Sequence, residues 1–136
     1  MSEAGRYVYD ESSWPIVRVN APATPADERG FSELLHRYTE TLLRGQPFVM
    51  LFELGVGAPL SADRRDELRR HAREHQPLLA ARQRGLGMVA RSAYHRATAR
   101  ALLWIVKPPY PVEIFSDWES ARCWAARRLP TPALAG

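Results

Sequence analysis

The sequence predicts a single STAS-like α/β domain with the element order β-β-α-β-α-β-α-β-α, a five-stranded, mostly parallel (mixed) sheet with an N-terminal hairpin and four helices. Three observations lead to this prediction. Strand-like and helix-like segments alternate after an initial hairpin, an order typical of a parallel sheet covered by helices. Residues 47–54 form a continuous apolar run, as expected for a central strand buried on both faces. A length of 136 residues suits one hydrophobic core, for which we expect an ordered region over residues 6–129 and a flexible tail over 130–136.

The first half of the chain supplies the hairpin and the first helix. Residues 7–9 and 14–19 are rich in aromatic and β-branched side chains and flank a polar turn, which predicts two short strands. Thr24 and Pro25 precede a segment whose apolar residues recur at helical spacing, which predicts a helix capped by Thr24. Gly45 is expected to end that helix, because glycine readily adopts the left-handed conformation found at helix C-termini.

Two further helices are predicted between the central strand and the last one. Ser61 is expected to cap an arginine-rich helix that Pro77 kinks or interrupts and that Gly85 ends. Residues 86–90 then form a buried strand. Ser92 is expected to cap the third helix, which runs to about residue 106 and whose predicted inner side consists of Tyr94, Ala97, Ala101 and Ile105.

The end of the chain predicts one strand and one helix. Pro108 and Pro109 stop the third helix, because proline disfavours helical backbone at the residue before it. Residues 112–115 form the last strand. Ser116 and Glu119 have the spacing of a capping box, which predicts a fourth helix starting there and ending near residue 129.

The charge balance is basic, with 19 lysines and arginines against 15 acids and a net charge of +4. The arginines between residues 64 and 73 alternate with acids, which favours a solvated helix face over a nucleic-acid-binding patch. We therefore do not expect nucleic acid as a partner. The positive charge without neighbouring acids lies around the third helix and on the last one, at Arg91, Arg96, Arg100, Lys107, Arg122, Arg127 and Arg128.

The expected compartment is the cytoplasm. The first residues are polar and lack the apolar run of a signal peptide. The apolar stretch over residues 101–106 is far shorter than the roughly 20 residues of a membrane-spanning helix. Cys123 is the only cysteine, so no internal disulfide can form, and a lone thiol suits a reducing compartment.

The motifs that resemble chemical sites are better explained in other ways. Gly55 and Gly57 lie between a strand and a helix, where phosphate-binding loops occur, but Leu60 replaces the third glycine of a dinucleotide motif. His71 and His75 have the spacing of two zinc ligands, but no third ligand is evident. The sequence also lacks a nucleophile elbow and a recognisable pair of catalytic carboxylates. We expect no enzymatic activity, no cofactor and no metal.

The third predicted helix is the strongest candidate for an interface. Its basic residues Arg96, Arg100 and Lys107 share one side, Leu103 falls among them, and Leu102 and Trp104 flank this stripe. Two interpretations stay open. The large apolar residues belong to the core, or the helix meets a dimer partner or an anionic membrane surface. The alanines of this helix would allow another surface to approach closely.

Landmarks over residues 14–129 resemble the SpoIIAA-like branch of the STAS superfamily, a group that overlaps in fold with CRAL-TRIO lipid-binding domains. They begin with Trp14 and Pro15 and continue with residues 44–49, which lead into a strand ending in Glu53. The remaining landmarks are residues 60–65, 87–92, 112–115, 118–121 and Trp124. The resemblance implies a non-enzymatic domain: partner-switching regulation in classical STAS proteins, and apolar-ligand or membrane association in the SpoIIAA-like branch.

The sequence departs from the signature of anti-sigma-factor antagonists, an Asp-Ser pair whose serine is phosphorylated. Ser61 stands where the acid would be, and Ala62 stands where the serine would be. The resemblance therefore does not imply a phosphoswitch at the usual position. Ser61 is better explained as an N-cap, although phosphate there would be tolerated beside Arg64 and Arg65.

These observations predict a regulatory or protein-interaction domain that acts through surface recognition, as a homodimer or with a protein partner. The alternative is an apolar-ligand or lipid-binding domain, in which the helix over residues 93–107 moves off the sheet to admit an acyl chain lined by Leu102, Leu103, Trp104 and Ile105. The candidate interaction residues are Gly55, Gly57, Ser61, Arg64, Arg65, Arg96, Arg100, Leu103 and Trp104.

Overall fold

The computed structural model describes residues 6–22, 28–54, 61–105 and 107–130. Within them the chain forms five strands and five helices. In chain order they are β1 (Val8–Asp10), β2 (Ile16–Asn20), α1 (Glu28–Leu43), β3 (Phe48–Glu53), α2 (Ala62–Glu74), α3 (Gln76–Arg82), β4 (Gln83–Val89), α4 (Ala93–Ile105), β5 (Val112–Phe115) and α5 (Trp118–Arg128).

The five strands form one mixed sheet in the order β1-β2-β3-β4-β5. β1 pairs with β2 in antiparallel fashion, and every other neighbouring pair is parallel. This confirms the predicted fold class. Because each parallel connection moves one strand along the sheet, right-handed crossovers place α1, α2, α3 and α4 on the same face. We call this the α1 face and the opposite one the α5 face.

Two separate cores cover β3 from both sides, which explains its continuous apolar run. Phe48 and Met50 belong to the core under α1, and the alternate residues Val49 and Leu51 belong to the core under α5. The helices complete each core with buried residues at helical spacing: Phe31, Leu34, Tyr38 and Leu42 from α1, and Ala121, Trp124 and Ala125 from α5.

Two of the predicted helix caps, Ser61 and Ser92, are confirmed, and a third is wrong. The Ser61 hydroxyl accepts a hydrogen bond from the Arg64 backbone N–H, and the Ser92 hydroxyl accepts one from the His95 N–H at 3.1 Å. At α5 the predicted cap is wrong by one residue, since the Asp117 carboxylate accepts the Ser120 N–H at 2.8 Å. A carboxylate outcompetes a hydroxyl there because it carries the charge that a helix N-terminus favours. The predicted cap Thr24 lies outside the described residues.

The number of helices differs from the prediction of four. The arginine-rich helix divides at His75 into α2 and α3, and Pro77 lies in the first turn of α3. Proline is tolerated in a first turn because the N–H it lacks would have no helical partner there. This confirms the interruption expected at Pro77.

The predicted role of Gly85 as a helix end is wrong, because it lies inside β4, which starts at Gln83. The indole of Trp124 packs directly on the backbone of this glycine. A Cβ atom at Gly85 would lie 2.7 Å from Trp124 Cη2, and one at Gly87 would lie 2.7 Å from Leu51 Cδ2. The two glycines therefore leave the space in which α5 reaches the sheet.

We predict that Gly85→Ala destabilises the protein by about 1–3 kcal/mol, because the new methyl group overlaps the Trp124 ring. Urea unfolding measures this cost. In a Trp124→Leu background the same glycine substitution should cost clearly less, because the ring it meets has been removed. Equal costs in the two backgrounds would contradict the packing argument.

A buried histidine joins α2 to α1. The His71 ring stacks between Tyr38 and His75, with centroid distances of 5.4 and 4.2 Å. Because the Thr39 hydroxyl donates to the Leu35 carbonyl, its oxygen is available to accept the His71 Nε2–H at 2.8 Å. Burial, together with a smaller effect of the neighbouring His75, lowers the pKa of His71 from 6.5 to about 4, so the ring is neutral near pH 7.

We predict that the protein loses about 1–2 kcal/mol of stability between about pH 7 and pH 5 through His71. The unfolded chain takes up a proton on this imidazole below a pKa near 6.5, whereas the folded chain does not do so until about 4. Urea unfolding at the two pH values measures the loss, and His71→Gln should reduce it. His36→Gln, which changes an exposed histidine of α1, is the control and should leave the loss unchanged.

Candidate interaction surface

α4 presents an apolar face to solvent, which corrects the predicted orientation of this helix. Tyr94, Ala97 and Ala101 were expected to face inward, but all three are exposed. The side chain of Ile105, the fourth residue of the predicted inner side, lies outside the described part, as does that of Leu102. Among the described side chains of α4, only Ala99 is fully buried, while Leu103 is half-buried.

Polar bonds at the carboxyl end of β4 explain this rotation of the helix. The Arg96 guanidinium donates to the Ala90 carbonyl at 3.2 Å, so Arg96 points towards the body of the domain. The first turn is held by Ser92, whose hydroxyl caps the helix beside the His95 ring. Tyr94 precedes Arg96 by two positions, which is about 200° around a helix, so an inward Arg96 places Tyr94 on the outward side. These bonds are therefore consistent with the observed rotation of α4.

The outward side of α4 is an aromatic–alanine face, which we define as Tyr94, Ala97, Ala101 and Trp104. Its members follow the spacing i, i+3, i+7 and i+10, so they form one stripe along the helix. Tyr94 is 62% exposed and Trp104 is 77% exposed. Large aromatic side chains with this exposure, gathered on one stripe, make this face the candidate interaction surface.

The exposed charges on α4 and immediately after it in the sequence are positive. Arg100 on α4 and Lys107, two residues after the helix, are both exposed. The sequence of α4 contains no acidic residue. An exposed aromatic stripe with a basic edge is therefore available for recognition at this position of the fold.

The candidate residues at the start of α2 are engaged within the helix. Gly55 and Gly57 lie outside the described residues. Ser61 caps α2, and the Arg64 guanidinium donates to Glu67 at 2.8 Å while lying near the Phe31 ring. Arg65 is half-buried in the same turn. Both α2 and α4 start from the carboxyl edge of the sheet, but Ser61 and Arg64 serve the local structure of α2.

Glu53 is a central residue of this edge that the sequence reasoning did not single out as a site residue. Its carboxylate is 19% exposed and accepts three hydrogen bonds: from Asn20 Nδ2 at 2.9 Å, Trp118 Nε1 at 2.7 Å and Arg91 Nε at 2.9 Å. These donors come from β2, the first turn of α5 and the segment after β4. The signal in the sequence is an acidic residue that ends an otherwise apolar central strand.

The ion pair of Glu53 changes the expected distribution of free positive charge. Arg91, expected to be without a neighbouring acid, is bound to Glu53. Arg128 lies over the Trp124 ring, with its guanidinium carbon 5.6 Å from the ring centroid. Of the cations expected to be unmatched, those with exposed side chains and no such contact among the described residues are Arg100, Lys107, Arg122 and Arg127.

The described parts of the chain contain neither a metal-binding cluster nor a membrane-spanning helix. No group of three or more His, Cys, Asp or Glu side chains could hold a metal ion among those residues. His71 and His75 instead stack on each other, and the His75 Nδ1–H donates to the His71 carbonyl at 2.8 Å. No helix in the same residues has the length and apolar character needed to cross a membrane.

We predict that Glu53→Ala costs about 3 kcal/mol of stability, because it leaves the Trp118 and Asn20 donors without their acceptor at a largely buried position. Arg91→Ala should cost about 1 kcal/mol or less, since the Arg91 side chain is 57% exposed. Glu113→Ala, at an exposed position of β5, is the control and should stay within about 0.5 kcal/mol. Similar losses for Glu53 and Glu113 in urea unfolding would contradict the assigned role of Glu53.

No known protein-family model matches the sequence, and no curated protein matches it. Among solved structures, the chain is similar to an uncharacterized protein of the DUF3478 family with a SpoIIAA-like fold, from Shewanella loihica PV-4. The two share 17% sequence identity with a TM-score of 0.65, over 92% of this chain and 98% of that chain. This likeness and the mixed five-stranded sheet establish that the chain has the SpoIIAA-like fold that the sequence predicts.

Proposed function

We propose that the protein is a non-enzymatic interaction domain with a regulatory role, and that it recognises another protein through the aromatic–alanine face of α4. The observation that carries this proposal is the exposure of Trp104 and Tyr94 on one stripe of one helix. Tryptophan, tyrosine and arginine are the residue types that most often dominate the energy of protein interfaces. Here Arg100 is an exposed residue of the same helix as the two aromatic residues.

The chemistry of the described titratable residues supports a role without catalysis. The Glu53 carboxylate accepts three hydrogen bonds from neighbouring segments and so links these segments structurally. The low pKa of His71 keeps its imidazole neutral, and its Nε2 is bonded to Thr39. Ser61 caps the N-terminus of α2. The proposed recognition therefore uses surface complementarity and needs no phosphorylation of Ser61.

Binding of an anionic membrane surface or an apolar ligand is the second candidate function. The observation that favours it is the exposed indole of Trp104, which the exposed cation Lys107 follows three residues later in the sequence. Tryptophan beside basic side chains is typical of helices that lie in the membrane interface. In either case we place the protein in the cytoplasm, in keeping with an exposed free thiol at Cys123.

The test is site-specific photo-crosslinking in the cells that produce the protein. A photoreactive amino acid replaces Ala97, in the middle of the aromatic–alanine face, and the adducts are identified by mass spectrometry. We expect a defined protein adduct that disappears when Tyr94→Ala and Trp104→Ala are combined, because these substitutions remove the main contact area. The two aromatic residues are exposed, so their removal should change stability by no more than about 0.5 kcal/mol.

Two controls give this experiment its specificity. The same photoreactive group at Ala126, an exposed position of α5, should not give that adduct. The combined substitutions Val8→Ala and Leu43→Ala, which remove the other two exposed large hydrophobic residues among those the structure describes, should leave it unchanged. An adduct pattern at residue 97 that ignores Tyr94 and Trp104 would contradict the proposal, and an adduct with lipid alone would favour the second candidate.

A further inference from the structure

We propose that the partner segment recognised by α4 is an amphipathic helix with acidic flanks, belonging to another protein and lying along the aromatic–alanine face. This inference rests on the proposed function and specifies the chemistry of the partner. It follows from the shape of the face, from the sign of its charge and from a comparison with two other possible occupants.

The shape of the face suits a helix. Tyr94 and Trp104 are ten residues apart, which corresponds to about 15 Å along α4. Between them Ala97 and Ala101 leave the helix backbone covered only by methyl groups. Small residues at a contact allow two helices to approach to about 8 Å between their axes, the close end of the usual range. Tyr94 and Trp104 would then contact the partner helix at the two ends of the face.

The charge of the face requires an acidic partner. The α4 sequence has no acidic residue, Arg100 is an exposed cation of this helix, and the exposed Lys107 follows the helix by two residues. Other basic residues of this region are already engaged, since Arg91 pairs with Glu53 and Arg96 donates to the Ala90 carbonyl. Arg100 and Lys107 would be matched by acidic side chains along one flank of the partner helix, which guides association and fixes its direction.

A second copy of this chain fits the face less well. In an antiparallel pair of α4 helices the aromatic and alanine residues would match, but each helix would bring only basic flanking charge to the contact. Like charges facing each other across an interface oppose association. A self-associating helix of this kind would need acids alternating with its basic residues, and α4 has none.

An anionic bilayer also fits the face less well. A helix that binds in the membrane interface carries large apolar residues along its inserted side. On the described outward side of α4 the two central residues are alanines, which contribute little to transfer from water to lipid. The same alanines favour close packing against another helix, so the sequence of large and small side chains selects a protein partner.

The test uses two labelled synthetic peptides with identical apolar heptads. One carries glutamate at the flanking positions and the other carries lysine, and binding to the full chain is followed by fluorescence anisotropy. We expect the glutamate peptide to bind about tenfold more tightly than the lysine peptide. Reversing the edge with Arg100→Glu and Lys107→Glu should invert this preference, and Trp104→Ala should weaken the binding of both peptides.

The matched control is Arg122→Glu combined with Arg127→Glu, which makes the same change in net charge on exposed positions of α5. It should leave the preference for the glutamate peptide intact. The inference is overturned if the control shifts the preference as much as the α4 variant does, or if the wild-type protein binds both peptides equally or neither. It is also overturned if the chain binds vesicles of phosphatidylcholine and phosphatidylglycerol through Trp104 and does not bind the peptides.

The outcomes separate this inference from the proposed function. If residue 97 yields a defined protein adduct in cells but the peptides show no charge preference at α4, the interaction domain stands and the acidic helix is wrong. If residue 97 yields no adduct that depends on Tyr94 and Trp104, the proposed function itself fails.

Discussion

Burial of β3 on both faces is the constraint on which the other elements depend. From Phe48 to Phe52 this strand has apolar side chains on both faces, so it needs a cover on each side, and here α1 supplies one and α5 the other. The glycines of β4 follow from the same constraint. Gly85 and Gly87 leave room for Trp124, which brings α5 close enough to close the second core. Larger residues at these positions would separate α5 from the sheet and leave Val49 and Leu51 partly uncovered.

The end of the same strand organises the edge from which the candidate surface starts. Glu53 gathers donors from β2, α5 and the segment after β4, so this edge is held by hydrogen bonds to one carboxylate. α4 begins directly after that segment, and Ser92 and Arg96 set its rotation. α1 and α5 supply described side chains that cover β3, whereas α4 buries Ala99 and keeps Tyr94 and Trp104 in solvent. The proposed recognition surface thus lies on a helix outside the described cover of the central strand.

Sequence reasoning succeeded where a local pattern has one physical explanation. The alternation of strands and helices, the two-sided apolar strand and the interruption at Pro77 all appear as predicted. It failed where two local signals competed. Gly85 fits a helix end as well as a strand, and only the indole of Trp124 explains why glycine is required there. Asp117 replaced Ser116 as a cap because both can accept a backbone N–H and the carboxylate binds it more strongly.

The sequence by itself determined the α/β architecture, the two-sided central strand and the presence of a helix that combines aromatic, alanine and basic residues. These depend on periodicity and on residue types, which are properties of neighbouring positions. Only the tertiary structure decided which side of α4 faces the solvent and which arginines remain exposed. Apolar periodicity indicates that a helix has two sides, but it does not indicate which side is buried. Here the hydrogen bond from Arg96 to the Ala90 carbonyl at the end of β4 orients α4 and leaves Tyr94 and Trp104 in solvent.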